Sequence, residues 1–212
     1  MAILPPKNKP LDRPPVYNLK DGGSSIYEDQ ELVKRTLNGD KGAFEMIIRR
    51  YQQPVLNYIS RMVGERQLAL DISQDIFIKV YASLRSYRPQ FKFSTWLYKI
   101  ASNYMIDHWR KKKIPVVSID QPVRDDEDCL KLQVPDNEPS VARKFELKEI
   151  RRKIEAALET LPVGLRELFV LRHINGLSYE EVAEIKGLPL GTVKNRVFQA
   201  KELLKTLLEG QP

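Results

Sequence analysis

The chain has one cysteine, Cys129, and two histidines, His108 and His173. A lone thiol excludes an internal disulfide and every CxxC metal arrangement, and it points to a reducing compartment. Two separated imidazoles leave little for catalysis or metal binding. His108 falls on an apolar helical stripe and His173 lies in "LFVLRHING" near a helix end, where packing or capping is the ordinary role. No apolar run approaches the roughly 18 residues of a membrane span, and the N-terminus lacks a signal peptide's apolar core. The acidic run "DDED" at 125–128 lacks the glycine and spaced ligands of a calcium loop. These absences predict a cytosolic protein that is not an enzyme, with no metal, no cofactor, no small-molecule substrate and no direct membrane insertion.

What is present is positive charge. Lys and Arg number 35 against 28 Asp and Glu, a formal +7, which suits a polyanionic partner once its location is known. At 212 residues one or two domains are expected, at about 100–200 residues each. Four pieces emerge. Residues 1–25 hold five prolines and a Gly-Gly-Ser-Ser run, too little apolar content for a core, and read as a disordered tail. Residues 26–113 are helical in pattern, with the few prolines and glycines falling mostly where helices should end. Residues 114–140 carry four prolines and seven acidic residues against Arg124 and Lys131, an acidic linker of opposite sign to the rest. Residues 141–212 return to helix. With no strand ladder and no internal repeat, the fold class is all-α: two small helical domains on a flexible tether.

In the C-terminal domain "GLSYEEVAEIKGLPLGTVKNR" has helix-turn-helix spacing. Ser178 and Glu181 form a capping box, Leu177 and Val182 stand at hydrophobic-staple positions, and Gly187 suits the left-handed residue that ends a helix. The next helix opens around Pro189 to Gly191 and buries Val193, Val197, Ala200 and Leu204. Its opposite side carries Asn195, Phe198 and Gln199, with Thr192 and Arg196 on a flank. Asn and Gln pair bidentately with adenine, Arg with guanine, and an apolar ring packs on a thymine methyl. Phe198 among polar residues therefore points either to groove contact or to cover by another protein surface. Lys194 and Lys201, with Lys205, fall nearer phosphates.

The N-terminal domain concentrates eight of the chain's 18 aromatics between Tyr81 and Trp109, interleaved with Arg85, Arg88, Lys92, Lys99 and "RKKK" at 110–113. Aromatics among cations are the ingredients of single-strand binding, since every base offers a face and every nucleotide a phosphate. A helix from about Ser94 places Leu97, Ile100, Ala101, Tyr104 and His108 on a packed side, and Trp96, Lys99, Asn103 and Arg110 on a basic one. "YRPQFKF" ahead of it reads as a loop able to clamp an unstacked base. Upstream, Ile72, Ile76, Val80 and Leu84 form a buried stripe, leaving Asp71, Gln74, Asp75 and Ile78 outside. By itself such a polar outer face is ordinarily just solvated.

"DISQDIFIKVYASL", "FSTWLYKIASNYMIDHWRKKK" and "LSYEEVAEIKGLPLGTVKNRVFQAKELL", in that order around an acidic linker, resemble the bacterial RNA polymerase sigma factors of the extracytoplasmic-function (ECF) group in the sigma-70 family. The resemblance spans about residues 27–208. It implies sigma regions 2 and 4 for the two domains, recruitment by core RNA polymerase, promoter DNA as ligand, and control by an anti-sigma factor. On these positions it implies docking of Asp71, Gln74, Asp75 and Ile78 on the clamp helices of the largest polymerase subunit. The flap of the second-largest subunit is a further implied partner. It implies −10 single-strand capture by Arg88, Phe91, Lys92, Phe93, Trp96, Lys99, Asn103 and Arg110. It implies −35 reading by Thr192, Lys194, Asn195, Arg196, Phe198, Gln199 and Lys201, and passage of the linker through the polymerase toward the active-site cleft. Two departures stand out: family members often carry a basic residue at the place of Gln199, and the proline-rich tail is not part of the family pattern. An ordinary helix-turn-helix regulator accounts for the C-terminal domain as well, but not for the aromatic-basic helix or the acidic tether.

Overall fold

The computed structural model describes residues 24–112 and 141–209, with side chains over 28–110 and 149–209. The linker, "DDED", Cys129 and residues 1–23 of the expected tail lie outside the described residues, whereas Ser24 and Ser25, assigned to that tail, open α1. Among those described every regular element is helical: α1 (Ser24–Leu37), α2 (Lys41–Val63), α3 (Arg66–Ser83), α4 (Phe93–Lys112), α5 (Val141–Thr160), α6 (Val163–Phe169), α7 (Tyr179–Lys186) and α8 (Leu190–Glu209). A single 3-10 turn (Leu84–Ser86) extends α3, and a π turn (Val170–Ile174) extends α6.

Local chemistry sets these boundaries. The Asp40 side chain accepts the Ala43 N–H to cap α2, and Gly64 at φ +74° ends it in the left-handed region. The Ser178–Glu181 capping box opens α7 as expected, and Gly187 at φ +61° closes it. Pro54 does not end a helix. It lies inside α2, where its missing N–H leaves a turn unsupported that packing on both sides sustains.

The apolar stripes expected from spacing are buried: Ile72, Ile76, Val80 and Leu84 on α3, and Val193, Val197, Ala200 and Leu204 on α8. The two halves are not separate globules, however. One continuous core runs from Leu32 on α1 to Val197 on α8, with α7 lying along α4. A smaller cluster of Ala157, Leu158, Leu161, Ala200 and Leu204 ties α5 to α8.

Polar groups stitch this contact. The Tyr58 hydroxyl (2.9 Å) and Ser102 hydroxyl (2.7 Å) both donate to one oxygen of Glu167, and the Lys186 ammonium donates to the other at 2.7 Å and to Ser102 at 2.9 Å. Asn175 donates to the Tyr98 hydroxyl at 2.6 Å. Tyr58, Ser102 and Glu167 are all buried, so each polar group depends on these partners rather than water. Burial and the Glu167 carboxylate push the Tyr58 hydroxyl well above its ordinary pKa, which keeps it a donor.

Candidate nucleic-acid interface

Helix α8 is held from beneath. Its buried stripe rests on α6 and α5, and the capped α7 fixes its entry through the turn at Gly187. Lys194, Asn195, Arg196, Phe198, Gln199 and Lys201 are exposed on the far side, and Thr192 is half-buried near the first turn. The Phe198 ring is 61% exposed. None of the described residues covers it. The Lys194 ammonium stands 5.9 Å from the Tyr179 ring of α7.

The N-terminal site is built differently. A cavity of about 130 Å³ opens between the turn after α3 and the start of α4, lined by Ser86, Tyr87, Arg88, Phe91, Trp96, Lys99 and Glu184. Of the lining rings Tyr87 lies tilted on Trp96 at 5.5 Å, and behind them Phe93 packs on Tyr87 and Tyr51, each at 5.4 Å. Such offsets are the favoured aromatic geometry. Phe91 stands at the rim, 43% exposed.

Here the structure corrects the expected site. Phe93 is not a clamp residue of the loop. It is the first residue of α4 and is 1% exposed, so its ring supports the wall and cannot stack on a base. Lys92 is engaged by Glu181 of α7 at 3.1 Å, and Thr95 donates to the same oxygen at 3.2 Å. Burial raises the pKa of Glu181, but hydrogen bonds from the Ser178 backbone and Lys92 outweigh it and hold the carboxyl below its usual range. Arg88, Phe91 and Lys99 remain together at the cavity with half-buried Trp96. Asn103 is exposed further along α4, and Arg110 pairs with Asp107.

The outer side of α3 presents Asp71, Gln74, Asp75 and Ile78, all exposed, with Ile78 at 67%. Two partners escape sequence reasoning. Gln67 donates to Asp71 at 3.2 Å, and the Tyr104 hydroxyl donates to Asp75 at 2.5 Å. That hydrogen bond and burial push the Tyr104 pKa to about 12. Sequence spacing places Tyr104 on the packed side; it is half-buried and reaches across to α3 instead.

Comparison with known proteins settles the class. The family model for sigma-70 region 2 matches residues 47–114 and that for sigma-70 region 4 matches residues 151–204. The RNA polymerase sigma-H factor of Pseudomonas aeruginosa is 35% identical over 187 residues, 86% of this chain and 94% of that protein. The ECF RNA polymerase sigma-E factor of Escherichia coli K12 is 36% identical over 181 residues, 83% of this chain and 92% of that protein. This chain belongs to the ECF sigma factors.

The fold agrees. The solved structure of CnrH in complex with the cytosolic domain of CnrY superposes with a TM-score of 0.61 at 25% identity, covering 87% of this chain and 99% of that one. The sigma factor RpoE of Bartonella quintana, solved with the anti-sigma factor NepR, gives 0.56 over 80% of this chain and 98% of that one, a likeness of fold at 23% identity. As a sigma factor the protein binds core RNA polymerase, directs it to promoters and initiates transcription there. The region 2 match disfavours a free-standing helix-turn-helix regulator. No helix among the described residues is long and apolar enough to cross a membrane.

Proposed function

We propose that this sigma factor divides promoter recognition between two chemically distinct surfaces. Region 4 reads the duplex −35 element with Asn195, Phe198 and Gln199, flanked by Thr192 and Arg196. Lys194 and Lys201 hold phosphates. Region 2 captures an unpaired base of the −10 non-template strand at the cavity rimmed by Arg88, Phe91 and Trp96, with Lys92 beside the loop and Asn103 further along α4. Lys99 and Arg110 hold the strand's phosphates. Asp71, Gln74, Asp75 and Ile78 dock on the clamp helices of the largest polymerase subunit, and region 4 meets the flap of the second-largest. The domain limits assigned are 26–113 for region 2 and 141–212 for region 4, with 114–140 as the linker and 1–25 as an appended tail. The protein works in the cytoplasm and carries no catalytic chemistry of its own; bond formation belongs to the polymerase.

The observation that carries this reading is the cavity itself, where aromatic faces and cations converge at a rim beside the start of α4. Glu181 and Glu184 of region 4 stand at that rim, so single-strand capture follows separation of the two regions. Carboxylates beside Lys92 occupy the positions that suit phosphates. Since CnrH and RpoE were each solved with a protein bound, the CnrY cytosolic domain and the anti-sigma factor NepR respectively, this chain is assigned an anti-sigma factor as its controlling partner.

The test is reconstitution. Purified protein added to core polymerase on a random promoter library should yield initiation only at templates sharing two spaced elements, and neither component alone should do so. Initiation without sequence preference would overturn the assignment of the two surfaces.

A further inference from the structure

Helix α1 precedes the segment matched as region 2, yet it is anchored to the body of the domain by a buried ion pair. Asp29 is 3% exposed and accepts hydrogen bonds from both Arg50 and the Tyr51 hydroxyl, while Arg50 also donates to Glu28 at 2.8 Å. Tyr51 in turn packs on Phe93, which backs the Tyr87 and Trp96 rings that line the cavity. The next residue of α1, Gln30, reaches the loop that makes the rim: its Nε2 donates to the carbonyl of Pro89 at 2.5 Å.

That loop has few other restraints. The Phe91 N–H donates to the Arg88 carbonyl at 3.1 Å, and the Tyr87 hydroxyl donates to the Phe91 carbonyl at 2.7 Å. Pro89 fixes its own φ and biases Arg88 toward extended conformations, but it supplies no N–H. The carbonyls of Arg88, Pro89 and Phe91 are thus each held, and the middle hold comes from outside the loop. Gln30 also stands within hydrogen-bonding reach of the Tyr87 hydroxyl, so the same α1 side chain serves both the Pro89 carbonyl and the ring that precedes the loop.

We propose that Gln30 is a positioning residue for base capture: α1 braces the Arg88–Phe91 loop through the Gln30–Pro89 hydrogen bond, and this brace sets how strictly the cavity discriminates among bases. The inference rests on the proposed −10 role of the cavity. Fixing the rim matters because a loop free to shift can rearrange around a disfavoured base and recover contacts with it. A braced rim cannot, so the brace penalises the wrong base more than the right one. Gln30 touches no DNA in this account and acts through the loop.

The experiment uses full-length protein assembled with core polymerase on promoters that differ only in the captured −10 base, scoring the fraction opened by permanganate reactivity. Gln30→Ala should reduce discrimination between preferred and disfavoured bases by about two- to tenfold, what one net hydrogen bond contributes. Core affinity, −35 duplex binding and melting temperature should stay at wild-type values. Gln30→Glu, which has no donor for the carbonyl, should behave like the alanine variant. Gln30→Lys, which keeps a donor, should recover discrimination even if its charge raises affinity for all strands. Phe91→Ala runs alongside. If it impairs opening while Gln30→Ala discriminates like wild type, the brace is refuted and the capture site stands. If neither variant has an effect, the capture reading falls and the brace with it. Equal losses of core binding, melting temperature and opening in Gln30→Ala would make the residue merely structural and overturn the proposal.

Discussion

On α8, Asn195, Phe198 and Gln199 project into open solvent from a helix whose other side is wholly packed. On α4 the corresponding chemistry is already half engaged: Phe93 lies in the core, Trp96 is part of a ring stack, and Lys92 is held by Glu181. The difference follows from the role proposed for each surface. Reading a duplex requires only that side chains protrude from a rigid helix into a groove. Capturing a single base requires a walled cavity, and a wall must be continuous with the core behind it. The second surface therefore shares residues with the domain's own packing, and region 4 meets its edge through Glu184 at the cavity and Glu181 at Lys92.

The contact between the two regions should be the most sensitive to mutation. Glu167→Ala leaves the half-buried Lys186 ammonium without its carboxylate and removes the acceptor of the Tyr58 and Ser102 hydroxyls, the bonds by which Glu167 reaches region 2. Each buried group left unsatisfied costs about 1–3 kcal/mol, which should favour release of region 4 from region 2. Solution scattering should show a larger radius of gyration, and the free protein should bind −10 single-stranded DNA more tightly than wild type. An unchanged radius would mean the apolar contact holds the regions together unaided. The −35 face, remote from this network, should bind duplex as before.

Ile78→Ala comes next. At 67% exposure the side chain adds little to the fold, so melting temperature should hold. Affinity for core polymerase should fall by about 1–2 kcal/mol if Ile78 sits in a desolvated docking site. Competition binding against the wild type measures this. Equal affinities would remove the α3 face from the docking assignment.

The smallest effects belong to α8. Phe198→Ala should lower selectivity at one or two −35 positions by about 1 kcal/mol or less, below a bidentate base contact, with stability unchanged. Replacing the contacted thymine by uracil should weaken wild type and leave the variant unaffected. Lys194→Ala or Lys201→Ala should weaken every sequence alike and reduce the salt slope by about 0.9 for each phosphate no longer neutralised. A base-specific defect in either lysine variant would blur the contrast between reading and holding.

Much of α8 and α7 is legible in the sequence. The Val193–Leu204 stripe, the Ser178–Glu181 box and Gly187 are short-range patterns, and short-range patterns are what a chain displays openly. The exposure of Phe198 follows from its register alone. The −10 site is legible only as composition. Aromatic content does not separate rim from wall, so Phe93 and Phe91, two residues apart, look alike until α4 places one inward. The interdomain network is not legible at all. Glu167 stands three and four residues before buried Val170 and Leu171, and a charge in apolar register is the available signal. Its partners Tyr58 and Ser102 are 109 and 65 residues distant, and no periodicity connects them. Pro54 misleads for a related reason: tertiary packing sustains a helix that local propensity would end.

The most direct test of the division between the two surfaces is a paired footprint of holoenzyme on one promoter, with duplex protection at the −35 element and permanganate reactivity at the −10 element. Phe91→Ala should retain full −35 protection and lose −10 reactivity by an amount matching about 1–3 kcal/mol of stacking. Phe198→Ala should show weakened −35 protection, with normal −10 reactivity in the complexes that form. If both variants lost the same signal to the same degree, the two surfaces would not be separable and the account would be wrong.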